Sequence, residues 1–277
     1  MAFLTVGKEN SADIQLYYED RGPGKPVVLI HGWPLNGASW ERQTAALTAA
    51  GYRVITYDRR GFGASSKPLA GYDYDTLAKD TYHLLEALDL KDATLVGFSM
   101  GGGEVARYMG KYDNGRVTKV AFTASIAPAL RKSGSNSEGV DPAIFEKIKG
   151  QIEKDRFAFL EWFLANFFNT DKLGERISAA AVHANFNVAS GSSYHAFLNC
   201  VDAWLEDFRD DVKEIKVPTL VIHGDSDRIL PIEATGARTA TLIPGAKLHV
   251  IKDGPHGLNW THATEFNEAL LKFLEGK

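Results

Sequence analysis

Ser99 is the residue whose surroundings best suit chemistry, because it sits within Leu95-Val96-Gly97-Phe98-Ser99-Met100-Gly101-Gly102-Gly103. The Gly-x-Ser-x-Gly spacing fits a serine held on a sharp strand-to-helix turn, where side chains two positions before and after it would collide. Gly97 and Gly101 remove those side chains, the β-prone Ala93-Thr94-Leu95-Val96 leads in, and the helix-compatible Glu104-Val105-Ala106-Arg107-Tyr108-Met109 leads out. A serine hydroxyl is a weak nucleophile near neutral pH. Nucleophilic catalysis therefore also demands a histidine base and a carboxylate that fixes the histidine's tautomer.

Both partners occur downstream, in the order serine, acid, histidine. The apolar Thr219-Leu220-Val221-Ile222 runs into His223-Gly224-Asp225-Ser226-Asp227-Arg228-Ile229-Leu230-Pro231, and Lys247-Leu248-His249-Val250-Ile251 leads to Asp253-Gly254-Pro255-His256-Gly257. Each lies just past the C-terminal end of an expected strand, where open parallel sheets carry reactive groups. His256 is the expected base. Asp225 and Asp227 follow the same strand and compete for the acid role, although Asp225 also suits a turn. Upstream, Pro26-Val27-Val28-Leu29-Ile30 ends in His31-Gly32-Trp33-Pro34. A loop N–H there can face a developing oxyanion together with the N–H of Met100. His31 and His223 read as structural. Among the eight histidines no His-x-His or His-Glu-x-x-His spacing occurs, so a catalytic metal is not expected, and acyl transfer through a serine needs no cofactor.

These groups need a scaffold that brings strand ends together. Strand-like segments fall near residues 3–7, 14–20, 26–31, 53–58, 93–98, 117–122, 217–223 and 246–251, and helical patterns near 38–50, 73–88, 100–111, 232–240 and 260–274. The alternation predicts a doubly wound, mostly parallel eight-stranded sheet in one α/β domain, opened by an antiparallel hairpin around Gly7 to Ser11. It breaks between about residues 128 and 212, a stretch that reads as an inserted helical cap. Phe157, Phe159, Trp162, Phe163, Phe167 and Phe168 crowd one helical segment there, more aromatics than one packing face requires. Asp58-Arg59-Arg60, at a strand end beside Gly61 and Gly63, reads as a brace of its loop rather than a charged substrate clamp.

Bulk properties suit a globular enzyme acting on small neutral molecules. The 277 residues are 44% hydrophobic, enough for a large core, and the formal charge of −4 shows no basic stripe for nucleic acid or anionic membrane. The start, Met1-Ala2-Phe3-Leu4-Thr5-Val6-Gly7-Lys8, has no basic segment leading into a long apolar one, and no apolar run reaches membrane-spanning length. A cytoplasmic location is the expectation. The single cysteine, Cys200, permits no internal disulfide and reads as a buried thiol.

Five ordered motifs carry a resemblance that extends over nearly the whole chain. They are Val28-Leu29-Ile30-His31-Gly32-Trp33-Pro34, Tyr57-Asp58-Arg59-Arg60-Gly61-Phe62-Gly63-Ala64-Ser65, Val96-Gly97-Phe98-Ser99-Met100-Gly101-Gly102-Gly103, Ile222-His223-Gly224-Asp225-Ser226-Asp227 and Gly254-Pro255-His256-Gly257. With them the chain resembles the α/β-hydrolase superfamily, and within it the bacterial aryl esterases and cofactor-free haloperoxidases, also called perhydrolases. The resemblance implies Ser99 as nucleophile, His256 as base, Asp227 rather than Asp225 as acid, and the backbone N–H groups of Trp33 and Met100 as oxyanion donors. It also points to Phe163 and Phe167 as pocket members. Pro34, beside the presumed donor, and Ile229 and Leu258, each two residues beyond a triad member, join the expected substrate pocket.

The activity implied is hydrolysis of small aryl or alkyl carboxylic esters through an acyl-enzyme. Proline at position 34 is associated in the resembling branch with perhydrolysis, in which hydrogen peroxide replaces water and the released peracid oxidises halide. Opening of a lactone, such as an acyl-homoserine lactone, or of another cyclic ester or amide is the alternative on this scaffold, and a non-catalytic ligand-binding protein is the alternative of another class. Resembling enzymes often assemble as trimers or larger, so a homo-oligomer is a further expectation.

Overall fold

Apolar runs without polar alternation become strands buried on both faces. The computed structural model describes residues 2–172, 174 and 176–276; Met1, Leu173, Glu175 and Lys277 lie outside the described residues. Its strands are β1 (Ala2–Glu9), β2 (Ala12–Arg21), β3 (Pro26–Ile30), β4 (Arg53–Tyr57), β5 (Ala93–Phe98), β6 (Val117–Thr123), β7 (Thr219–Gly224) and β8 (Lys247–Ile251). They form one eight-stranded sheet in the order β1-β2-β4-β3-β5-β6-β7-β8. β1 and β2 are antiparallel, β2 pairs antiparallel to β4, and every other neighbour is parallel. All residues of β5 and β7 are buried, so the sheet centre delivers Ser99 and the His223–Asp227 segment from strands shielded on both faces.

Helices cover both sides. They are α1 (Glu41–Ala49), α2 (Tyr74–Ala87), α3 (Met100–Lys111), α4 (Pro142–Phe167), α5 (Ala179–Ser190), α6 (Tyr194–Ala203), α7 (Arg209–Lys213), α8 (Gly236–Leu242), α9 (Leu258–Thr261) and α10 (Ala263–Glu275). α1, α9 and α10 pack together on one face, and α2, α3, α7 and α8 form a continuous layer on the other. The helical pattern read near 232–240 starts later than expected. Ala234 N–H and Thr235 N–H close turns on the carbonyls of Pro231 and Ile232, and the helix begins at Gly236.

Among the described residues the excursion between β6 and β7 holds four helices. α4 packs on α5 and α6, whereas α7 packs on α3 and α8 of the body, so the end of the 128–212 interval belongs with the sheet layers. α4 bends at Asp155, whose backbone is non-helical (φ −164°, ψ 96°). The Asp155 carboxylate accepts from the N–H groups of Phe157 and Ala158, capping the second half as a new helix start. That half turns Phe159, Leu160, Phe163, Leu164 and Phe167 inward and leaves Phe157 and Trp162 exposed.

Candidate active site

Ser99 sits between β5 and α3 with φ 55° and ψ −118°, a strained conformation for a non-glycine residue. The turn closes only because its flanks lack side chains. A Cβ on Gly97 would stand 2.4 Å from the Gly101 carbonyl oxygen, and one on Gly101 would stand 2.4 Å from that of Ile30. His256, in the loop after β8, places Nε2 2.8 Å from Ser99 Oγ and Nδ1 2.7 Å from Asp227 Oδ2. A carboxylate can only accept, so the ring proton sits on Nδ1 and the Nε2 lone pair faces the Ser99 hydroxyl.

Asp227 has partners on both carboxylate oxygens. Its Oδ1 accepts from the N–H groups of Ile229 (2.9 Å) and Leu230 (2.8 Å), while Oδ2 also lies 3.2 Å from His223 Nε2. Burial alone would raise this carboxyl. His256 beside it and the hydrogen bonds from both histidines outweigh that cost and hold it well below the usual carboxylate range. Asp225 sits elsewhere: its exposed Oδ1 accepts from the Asp253 N–H at 2.7 Å and ties two loops together.

The loop after β3 is braced from below. Arg59 donates from Nη2 to the His31 carbonyl at 2.8 Å and from its backbone N–H to His31 Nε2 at 2.9 Å. The remaining ring nitrogen, Nδ1, is thus the donor to the Gly32 carbonyl at 2.9 Å. Arg59 Nε pairs with the fully buried Glu104 of α3 at 2.8 Å, and Glu104 also accepts from Thr81 and Tyr57. One ion pair therefore ties the helix behind the serine to the loop that faces it. Trp33 is locked by its indole N–H on the Phe197 carbonyl at 3.1 Å, and the Pro34 carbonyl accepts from Ser192 Oγ at 3.0 Å. The Trp33 N–H has no hydrogen-bond acceptor among the described residues. Met100 opens α3, where a first-turn N–H lacks an intrahelical acceptor.

Trp33, Ser99 and Met100 border one cavity of about 180 Å³. Its walls are almost wholly apolar, contributed by Ile126, Leu130, Val140 and α4, with Trp204, Ile229 and Leu230 completing them. Among the described residues the only charged one on the wall is Arg228, already paired with Asp171 at 2.8 Å.

Comparison with known proteins identifies the family. The alpha/beta hydrolase fold profile matches residues 25–263. The chain belongs to that family. It is 56% identical over 276 residues to a Synechocystis protein that carries the provisional name non-heme chloroperoxidase, covering 99% of this chain and 100% of that one. The crystal structure of a bromoperoxidase from Bacillus anthracis superposes with a TM-score of 0.95 at 51% identity, covering 99% of both chains. A bifunctional esterase/perhydrolase from Acinetobacter calcoaceticus is 33% identical over 94% of this chain and 96% of its own length. These relatives are named as enzymes.

The residues expected in the substrate pocket divide at this cavity. Phe163 and Ile229 line it; Pro34, Phe167 and Leu258 do not. Phe167 lies behind the histidine, its ring edge-on to His256 at 5.0 Å and to Phe98 at 5.9 Å. Leu258 opens α9 and is fully buried, and Pro34 turns its carbonyl to the excursion instead of lining the void. The sequence reading missed Ile144, Phe145 and Ile148 of the first half of α4, whose helical spacing is a legible signal, and Trp204, for which no local pattern exists. Asp58 accepts from Gly37 and Ala64 N–H groups, and Arg60 forms a buried pair with Asp80, so the charged run braces loops. Cys200 is fully buried, and burial pushes its thiol up to about 12. No helix is long and apolar enough to cross a membrane among the described residues, and no cluster of three or more potential metal ligands occurs among them.

Proposed function

We propose that this chain is a serine hydrolase of small carboxylic esters, with Ser99 as nucleophile, His256 as base, Asp227 as orienting acid and the N–H groups of Trp33 and Met100 as oxyanion donors. The observation that carries the reading is the unbroken chain of hydrogen bonds from Asp227 through His256 to Ser99, ending on a cavity with apolar walls. As Ser99 Oγ attacks the ester carbonyl, His256 Nε2 takes its proton, and Asp227 stabilises the imidazolium that forms. The carbonyl oxygen becomes an oxyanion between the two N–H groups, each such donor worth roughly 2.7–4 kcal/mol. His256 returns the proton to the departing alcohol, leaving an acyl group on Ser99 and the alcohol product.

Water, deprotonated by the same nitrogen, then attacks the acyl-enzyme and releases the acid. Hydrogen peroxide in place of water yields a peracid, and the names of the relatives support this companion activity. The scarcity of polar groups on the wall favours neutral acyl or aryl groups over charged ones. α4, α5 and α6 form the inserted cap over this site in a single-domain enzyme. A panel of aryl esters, lactones, and acetate with peroxide tests the reading: aryl esters turned over fastest support it, whereas lactones as the sole substrates would replace it by lactone opening. No turnover of any of them would favour a ligand-binding protein.

A further inference from the structure

The histidine at the end of β7 has more to do than fill the core. His223 is fully buried, and its Nε2 lies 2.8 Å from the Leu230 carbonyl oxygen and 3.2 Å from Asp227 Oδ2. Both neighbours are acceptors, so the ring proton must sit on Nε2. Nδ1 has no hydrogen-bond partner among the described residues and faces Gly236 at the start of α8, where an added Cβ would stand 2.4 Å away. Leu230 is the residue whose N–H binds the other carboxylate oxygen of Asp227. A single N–H therefore reaches both the carbonyl of the turn that grips the carboxylate and the carboxylate itself.

We propose that His223 is a positioning residue for Asp227: from the rigid end of β7 its Nε2–H pins the Asp227–Leu230 turn, so that Oδ2 stays aimed at His256. The proposal rests on the reading of Asp227 as the catalytic acid. The cavity does not touch His223, so it acts only through Asp227. The ring also fills the space that Gly236 leaves free, and that contact keeps Nε2 from swinging off the turn.

The orienting nitrogen dictates the test. Glutamine places its amide nitrogen where His223 Nε2 stands, whereas asparagine reaches only as far as Nδ1. His223→Leu and His223→Asn should lower kcat for an aryl ester by about tenfold to a hundredfold, the range for losing a hydrogen bond to a charged group, with KM nearly unchanged. His223→Gln should recover most of that loss. Gly236→Ala, which pushes the ring without altering its donor, should fall between.

The proton NMR signal of the His256 Nδ1–H shared with Asp227 should move in the Leu and Asn variants and return in the Gln variant. Thermal melts identify any variant that fails to fold, and the Gln and Asn pair decides the matter even if Leu does not fold. Equal kcat in Gln and Asn, or an unmoved proton signal in Asn, would overturn the proposal. The proton signal is read on the resting protein, so it decides the positioning claim independently of turnover. Persistent turnover in Ser99→Ala would instead overturn the hydrolase reading.

Discussion

Replacing Asp227 by Asn changes one atom and should disable the site through the histidine. The carboxylate has donors on both oxygens: two backbone N–H groups on Oδ1, and His256 and His223 on Oδ2. An amide must turn its oxygen to one set and its NH₂ to the other. Turning NH₂ toward the backbone would leave the buried Leu230 N–H unsatisfied, at roughly 1–3 kcal/mol, and the part-buried Ile229 N–H with it. The oxygen therefore stays on the turn and the NH₂ faces His256 Nδ1. That nitrogen must then accept, which moves the ring proton to Nε2, the atom that has to take the Ser99 proton. A triad held in the wrong tautomer loses about four orders of magnitude in kcat, or about 5–6 kcal/mol at 1.36 kcal/mol per decade. Steady-state hydrolysis of a p-nitrophenyl ester measures this, with a thermal melt confirming that the fold survives. Asp225→Asn, which keeps its acceptor for the Asp253 N–H, should stay close to the parent. A loss under tenfold for Asp227→Asn, or a larger loss for Asp225→Asn, would refute the tautomer argument.

Phe163→Ala removes a buried ring that touches Trp33, Phe159 and Phe167. It should cost about 3–5 kcal/mol in a denaturant titration while shifting ester preference toward longer acyl chains. Cys200 should resist iodoacetamide at pH 8 in the native protein and react once denatured, because the side chain is fully buried and burial pushes its thiol up to about 12; mass spectrometry of the two samples decides. Pro34→Leu restores an N–H and a free φ beside the proposed oxyanion donor. It should change the partition of one acyl-enzyme between peroxide and water more than it changes acylation, measured as peracid against acid at a fixed peroxide concentration.

Local rules make some parts of this molecule legible and leave others hidden. Gly97 and Gly101 disclose the elbow because no other residue fits against the backbones they meet, and the largely apolar, fully buried β5 and β7 disclose a sheet covered on both faces. The resemblance separates Asp227 from Asp225; of the two, Asp227 stands beside His256 and Asp225 accepts from the Asp253 N–H. The cavity wall is another matter. Phe167 and Phe163 lie four residues apart on one helix, yet a small rotation puts one against the histidine and the other on the void. Trp204 arrives from the far end of α6, a contact that depends on how the excursion packs and leaves no local trace. His223 looks like a core histidine until its Nε2 is seen beside Asp227.

The central claim is that Ser99 carries the acyl group. Treatment with a serine-directed phosphonate followed by peptide mass mapping tests it directly. The account predicts loss of activity in step with one added phosphonyl group, on the peptide containing Ser99, and no labelling or turnover in Ser99→Ala. Activity lost with Ser99 unmodified, or turnover persisting in Ser99→Ala, would contradict it.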